Sequence, residues 1–456
     1  MACKFRRTIL TQVKQTLKNG PRENIVPRNT TLKFNKPCNA VEMHVSLSKT
    51  MSCNENKISS SYIDSVSQTS DKRGNNLIFK INKNEFMSEV VDNVHRNPNS
   101  FWKKSDLFDD RSPQKVLLEF SSPNIAKPFH IGHLRSTIIG NFLSNLHAAL
   151  EHHVVRINYL GDWGTQFGLL NVGLQLGNVS DAQIEENPIQ TLYEAYVVAN
   201  QRAETDPAVH EKAREIFRQL EEGNFPEIKR WEKFRGYTVK ELESTYARLG
   251  VKFDEYQWES MFGAREIRDV LDSLRSQGIL TTSPEGRQTA KVGDRNVTLV
   301  KSDGSSLYLT RDIAAALYRY EKHKFHKLLY IVDNSQSDHF TSLRHLLTEI
   351  GHSWSETGIR HVKFGRVHGM STRKGQVVFL KDILDEARDR VVLRQQQSAN
   401  TRPNLPEETS DVLAVSAVLV NDLKQRRQRD YNFDWDSAMQ TVQSRGTQRS
   451  HLSFSM

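Results

Sequence analysis

The chain has 456 residues, of which 63 are Lys or Arg and 54 are acidic, giving a formal charge of +9 with 37% hydrophobic residues. That length supports a sizeable core, and no apolar run approaches the ~18–20 residues a membrane-spanning helix needs, so a chain working without a membrane is expected. Cys3, Cys38 and Cys53 are the three cysteines; they lie near the start without metal-ligand spacing, which argues against a disulfide framework or a zinc site and for a reducing compartment.

The opening "MACKFRRTILTQVKQTLKNG" carries Lys4, Arg6, Arg7, Lys14 and Lys18 and no acid, with Phe5, Ile9, Val13 and Leu17 recurring every four positions. One greasy face on a basic remainder reads as a mitochondrial transit peptide over residues 1–24, the alternative being an ordinary basic helix. These five charges make up more than half of the chain's excess, so basicity by itself is a weak argument for a polyanionic partner. Residues from about 21 to 75 are rich in Asn, Ser and Lys with little periodicity, which reads as including a loosely ordered linker. "LIFKI" then reads as a strand and "NKNEFMSEVVDNV" as an Asn-capped amphipathic helix, closing a small α+β domain over residues 25–105.

From about residue 114 strand and helix alternate. "KVLLEF" is followed by "HLRSTIIGNFLSNLHAALEHH", with Leu134, Ile138, Ile139, Phe142, Leu143, Leu146 and Leu150 at helical spacing, and then by "VVRINYLG". This is a βαβ unit, whose strands are expected to be parallel. Charged helical text fills about 189–250, and alternation returns with "LYLTRDIAAALYRYEKH", "KLLYIVDNSQSDHFTSLRHLLTEIG" and "HVKFGRVHGM". The fold class expected is α/β: a Rossmann-like doubly wound parallel sheet with a helical insertion, preceded by the small N-terminal α+β domain and followed by a partial helical bundle.

Ser121 to Lys127 would occupy the loop at the carboxyl end of the first strand, where doubly wound sheets bind ligands. His130 and His133, three apart near the first turn of the next helix, can point together at a ligand; the unpaired N–H groups and helix dipole there favour phosphate. Gly132 leaves room for a flat ring to approach the backbone. By themselves two such histidines can as well be a helix cap. Far downstream, "GMSTRKG" (Gly369 to Gly375) offers hydroxyls, amides and two adjacent cations between apolar runs, suited to clamping a triphosphate, and a solvated basic turn is its bland reading. Together the two elements make a stronger case than either alone.

The letters "HIGH" match the first signature of class I aminoacyl-tRNA synthetases, and "GMSTRKG" resembles the second. "EFSSPNIAKPFHIGHLRSTIIGN", "INYLGDWGTQFGLL", "SDGSSLYLTRDIAAAL" and "FGRVHGMSTRKG" are similar to arginyl-tRNA synthetases across about residues 76–436, and the basic opening fits the family's mitochondrial members. The resemblance implies ATP-dependent ligation of L-arginine to tRNA(Arg) through arginyl-adenylate, in the mitochondrial matrix, by a monomer, with Mg2+ accompanying ATP. It implies that His130, His133 and Lys127, with Arg373 and Lys374, stabilise the reacting phosphates, and that Gly132, Met370, Ser371 and Thr372 join the histidines around ATP. It implies an arginine site of Glu119, Ser122, Pro123, Asn124, Tyr308, Asp312 and Gln336. Their chemistry is apt, because a guanidinium is read by carboxylates and planar acceptors. Glu119 ends an apolar strand and is expected to face the mouth of the site. Tyr308 and Asp312 are four apart and would share one helix face. Gln336 follows another apolar strand. The second signature departs from the family's pattern, with Gly369 in place of its leading lysine; Lys127 is available to compensate.

The catalytic domain is expected over residues 106–395. "LAVSAVLVNDLKQRRQRDYNFDWD" resembles the start of the family's anticodon-binding helices, giving a truncated domain with a divergent tail over 396–456, and residues 25–105 are expected to form the additional tRNA-contacting domain that the resemblance implies. Val412 to Val420 would then be an apolar stretch short of partners. A non-catalytic tRNA-binding or regulatory fragment is the alternative function, and another HxGH nucleotidyltransferase a third.

Overall fold

The computed structural model describes residues 9–13, 30–34, 41–47, 58, 60–70, 75–96, 112–125, 129, 131–369, 379–397 and 406–440. The chain forms two compact units, residues 1–113 with 149–151, and residues 114–148 with 152–456.

In the first unit four antiparallel strands run in the order Thr30–Phe34, Val41–Leu47, Asn75–Ile81, Ile63–Ser70. Three of these strands lie within the stretch expected to include a linker. The reason is visible in "VEMHVSL": Val41, Met43, Val45 and Leu47 alternate with outward residues and are buried, a period of two that the surrounding Asn and Ser masked. Leu77, Phe79 and Ile81 supply the neighbouring strand's half of that face. Ile9 and Val13, from the stripe read as import signal, lie fully buried among the same residues. The helix Lys83–Arg96 begins as expected at an Asn, the Asn82 side chain accepting from the Glu85 N–H at 3.0 Å.

The second unit contains a parallel sheet of five strands in the order Ile359–His361, Lys327–Tyr330, Lys115–Glu119, His153–Leu160, Glu255–Trp258. Starting from Lys115–Glu119 the chain builds outward to one side and then crosses back to the other. The order thus reverses between Lys115–Glu119 and Lys327–Tyr330, whose last residues Glu119 and Tyr330 are paired neighbours. Helices cover both faces, and the apolar strand residues divide between two cores. Val116 and Leu118 pack with Leu134, Ile138 and Ile139 of the helix Ile131–Ala149, while Leu117 and Leu328 pack with Ile313 and Ala316 of the helix Tyr308–His323. Strands sandwiched this way read as unbroken apolar runs, which is why "KVLLEF" and "KLLYIV" were legible.

The helical insertion packs around the helix Thr165–Leu176, on which Gly168 and Gly173 meet the backbones of Ala213 and Ala195 so closely that no side chain would fit. The helix Glu407–Leu423 is not short of partners: Ala414, Val415, Ala417 and Val418 are buried in the core that includes Ile383 and Ala387 of Leu380–Gln397, and Val412 alone of Val412 to Val420 is strongly exposed. Arg248 ties these layers, donating to Asp411 at 3.0 Å and Asp385 at 2.8 Å. No helix among the described residues is long and apolar enough to cross a membrane.

Candidate active site

The reversal of strand order creates a crevice beyond Glu119 and Tyr330, and the loops that leave those strands carry most of the expected arginine residues. Directly after Glu119 the chain turns sharply: Ser121 and Ser122 both adopt positive φ, 72° and 48°, which non-glycine residues rarely do. Hydrogen bonds hold this turn. The Ser121 N–H donates to Ser136 Oγ (3.0 Å), the Ser122 N–H to Asn158 Oδ1 (3.0 Å), and the Ser121 hydroxyl meets the buried Tyr246 hydroxyl at 2.6 Å. Strain retained at a strand's carboxyl end against such a network is a mark of a preorganised site. Pro123 is buried and Asn124 half-buried, the latter bridged to Gly161 of "GDWG". A Cβ on Gly161 would sit 2.1 Å from Asn124 Oδ1, so that glycine makes the room the Asn124 amide occupies. Asp162 is buried and accepts from the N–H and hydroxyl of Ser260 at 3.0 and 2.7 Å, anchoring the floor.

Behind the crevice lies a set of converging charges. Glu119 is more deeply set than a residue at the mouth: it is 6% exposed and accepts from the Arg319 guanidinium. Arg319 Nε also donates to Gln257 Oε1 at 2.8 Å, and its Nη1 to the Tyr330 hydroxyl at 3.3 Å. Burial pushes the Glu119 carboxyl up, Arg319 opposes that, and Asp312 pushes it up further. Asp312 stands in the first turns of Tyr308–His323, where its Oδ2 is hydrogen-bonded to His339 Nε2 at 2.7 Å. Tyr308, one turn earlier on the same face, is exposed. Gln336, also exposed, directly precedes the helix Ser337–Glu349 that carries His339. Glu259, just past the strand Glu255–Trp258, is pushed up to about 7 by burial, with Arg311 opposing and Asp312 and Asp162 adding to the rise. The Tyr159 hydroxyl is buried without a protein partner, among the fields of Asp312, Arg319, Glu259 and Glu119, and the Ser122 hydroxyl is buried and unpartnered too. Acidic groups in excess of cations, with a spare hydroxyl, suit a permanently charged planar donor.

On the phosphate side, the helix after the first loop starts at Ile131, so His133 lies in its first turn as expected. Its ring stacks on Phe129 (5.5 Å, 4° between planes), which in turn meets the Tyr246 edge. Gly132 is exposed. The Leu380 N–H donates to the Phe129 carbonyl at 2.7 Å, bringing the chain that follows the second signature loop beside the first signature. Lys127, His130, Met370, Ser371, Thr372, Arg373 and Lys374 lie outside the described residues. Among the described residues no cluster of three or more His, Cys, Asp or Glu could hold a metal ion. Hollows of about 500 and 860 Å³ lie elsewhere, one in the helical insertion and one beside Arg295 and Arg344, and none of the expected site residues lines them.

Arg319, His339, Glu259 and Tyr159 were not singled out in the sequence. Arg319 had a signal, since it follows Asp312 by seven residues and so shares its face, in a helix whose other inward residues are apolar apart from Thr310. Glu259 shared with Glu119 a place at the end of a strand. Nothing local distinguished His339 or Tyr159.

A doubly wound sheet with a histidine signature after the strand at its switch point, and the chain that follows a second, basic signature bonded beside it, describes the core of a class I aminoacyl-tRNA synthetase. The family model described as tRNA synthetases class I (R), catalytic domain, matches residues 99–435. A probable mitochondrial arginine–tRNA ligase of Mus musculus is 37% identical over 97% of this chain and 79% of its own length, and the cytoplasmic arginine–tRNA ligase of Saccharomyces cerevisiae is 40% identical over 71% of this chain and 55% of its own. Among solved structures, arginyl-tRNA synthetases of Plasmodium falciparum (TM-score 0.66, 22% identity, 96% of this chain and 76% of that one) and Thermus thermophilus (0.67, 17%, 96% and 77%) share the fold. The chain belongs to the arginyl-tRNA synthetase family of class I.

Proposed function

We propose that this chain is an arginine–tRNA ligase acting in the mitochondrial matrix. The arginine carboxylate attacks the α-phosphate of ATP, forming arginyl-adenylate and releasing pyrophosphate. The 2′-hydroxyl of the terminal ribose of tRNA(Arg) then attacks the activated carbonyl and releases AMP. Neither step uses a protein nucleophile, so rate comes from positioning and charge stabilisation. Asp312 and Tyr308 grip the guanidinium, Glu119 stands behind them, and Ser122, Pro123, Asn124 and Gln336 orient the amino acid. His133 with His130 and Lys127 stabilises the reacting phosphate, and Gly132, Met370, Ser371, Thr372, Arg373 and Lys374 complete the nucleotide clamp. Magnesium arrives as the ATP complex. Residues 25–105 touch tRNA, residues 396–456 begin the anticodon-binding helices, and the enzyme works as a monomer.

The observation that carries this reading is the pair of carboxylates Glu119 and Asp312 at the strand-order reversal, beside the unpartnered Tyr159 hydroxyl. A lysine or ornithine side chain presents a compact ammonium and cannot span that set as a planar fork does. The test is arginine charging of purified mitochondrial tRNA by the 456-residue chain with ATP and magnesium. Charging that is abolished in Asp312→Ala supports the reading; a folded chain that binds tRNA without charging it would make it a non-catalytic tRNA-binding protein.

A further inference from the structure

Arg135 lies two residues beyond His133, its side chain 2% exposed. Its guanidinium faces several acceptors from a distant part of the chain. Nη1 donates to the carbonyls of Gly365 and Arg429, the latter at 2.9 Å, Nη2 to that of Arg426 at 3.3 Å, and Nε lies 3.2 Å from Asp422 Oδ1. The Tyr431 ring lies 5.0 Å from the guanidinium carbon, and its hydroxyl donates to the same Asp422 oxygen at 2.8 Å. A buried cation of this kind contributes little net stability compared with apolar packing, but it fixes geometry where several acceptors must be held at once.

What it holds is the strand that delivers the second signature loop. Residues 426–433 run beside residues 364–368 as a strap. The Gly365 N–H donates to the Arg427 carbonyl (2.9 Å), the Tyr431 N–H to Arg366 (3.0 Å) and the Phe433 N–H to His368 (2.8 Å), with Val367 and His368 paired in parallel with Tyr431 and Asn432. The fit is tight, since a Cβ on Gly365 would lie 2.3 Å from the Arg429 carbonyl carbon. On its other side the strand meets the loop before Gln336, where the Asn334 N–H donates to the Phe364 carbonyl at 2.9 Å. Gly369 follows directly and opens "GMSTRKG".

We infer that Arg135 is a positioning residue for the nucleotide step: its one guanidinium locks the strap, and with it the strand entering the Gly369–Gly375 loop, in register with the helix that carries His133. The inference rests on the reading of both signatures as the ATP site. Arg319 holds Glu119 in the arginine site, whereas Arg135 holds the strand that leads to Gly369.

The test compares the parent with Arg135→Lys, which keeps the charge and loses the planar fork, and with Asp422→Asn, which keeps Arg135 and serves if the first variant does not fold. Measured are arginine affinity by calorimetry, tRNA-dependent ATP–pyrophosphate exchange per titrated active site, and amide hydrogen exchange of residues 364–368 and 426–433. The expectation is arginine affinity within twofold of the parent, at least a tenfold lower rate of pyrophosphate exchange with a raised KM for ATP, and faster amide exchange in both segments. A folded variant with parental exchange rates would overturn the inference, as would arginine affinity falling in step with the nucleotide step. Should the parent charge no tRNA, the functional reading fails by that result, and amide exchange still decides whether Arg135 holds the strap.

Discussion

Replacing Arg319 by methionine tests the charge arrangement that the arginine site depends on. The two side chains of the Arg319–Glu119 pair are 1% and 7% exposed, so the substitution leaves Glu119 in place with its principal counter-charge gone. Removing one partner of such a buried pair costs about 3–5 kcal/mol of stability. The effect on function has a definite sign. Burial and Asp312 both push the Glu119 carboxyl up and Arg319 is the largest influence pulling it down, so without Arg319 its pKa rises and protonation extends to higher pH. Weakening the negative charge behind the Asp312 carboxylate by about 1–2 kcal/mol corresponds to an arginine KM raised roughly 5- to 30-fold. Arg319→Lys keeps a cation without the fork and should show a smaller loss. The assay is aminoacylation with arginine varied from pH 6.5 to 8.5, alongside thermal unfolding. An Arg319→Met enzyme with KM within twofold of the parent and the parent's own pH profile would refute the reasoning.

Glu259, pushed up to about 7, is mostly protonated below that pH and adds negative charge above it, so arginine affinity of the parent should improve as pH rises through 7; Glu259→Gln should flatten this profile in calorimetric titrations. Its stability linkage has the opposite sense: the native state holds this proton more tightly than the unfolded chain, so its contribution declines as pH rises from about 4.5 to about 7, and urea midpoints of the parent and Glu259→Gln should diverge across that window. Asp312→Asn should lower kcat/KM for arginine by about 100-fold, and His339→Ala by roughly 3- to 10-fold, mostly in KM, because His339 only orients the Asp312 carboxylate, as steady-state charging would show. In Gly168→Ala the new Cβ meets the Ala213 carbonyl oxygen at 1.9 Å, and as neither backbone can retreat without separating two packed helices, a loss of about 1–3 kcal/mol in urea unfolding is expected with arginine affinity of the folded fraction intact.

What the sequence determined was whatever local pattern dictates. Apolar runs too short for helices marked the parallel strands, helical spacing marked the segments around them, and Tyr308 and Asp312 were assignable to one face because a helix repeats every 3.6 residues. The loops at strand ends were assignable as well, since doubly wound sheets have one place for a ligand. A period of two embedded in polar text hides the strand Val41–Leu47, and the apolar stretch beginning at Val412, expected to be short of partners, packs with Leu380–Gln397 and the helix Trp435–Gln440, contacts that no local pattern shows. The tertiary structure alone decided which charges meet. Glu119 and Arg319 are separated by 200 residues, Arg135 and Gly365 by 230, and Asp312 and His339 by 27. No periodicity reaches across such distances, because a buried charge is tolerated only where the completed fold brings its partner, and that partner is chosen by packing rather than by neighbours in the chain.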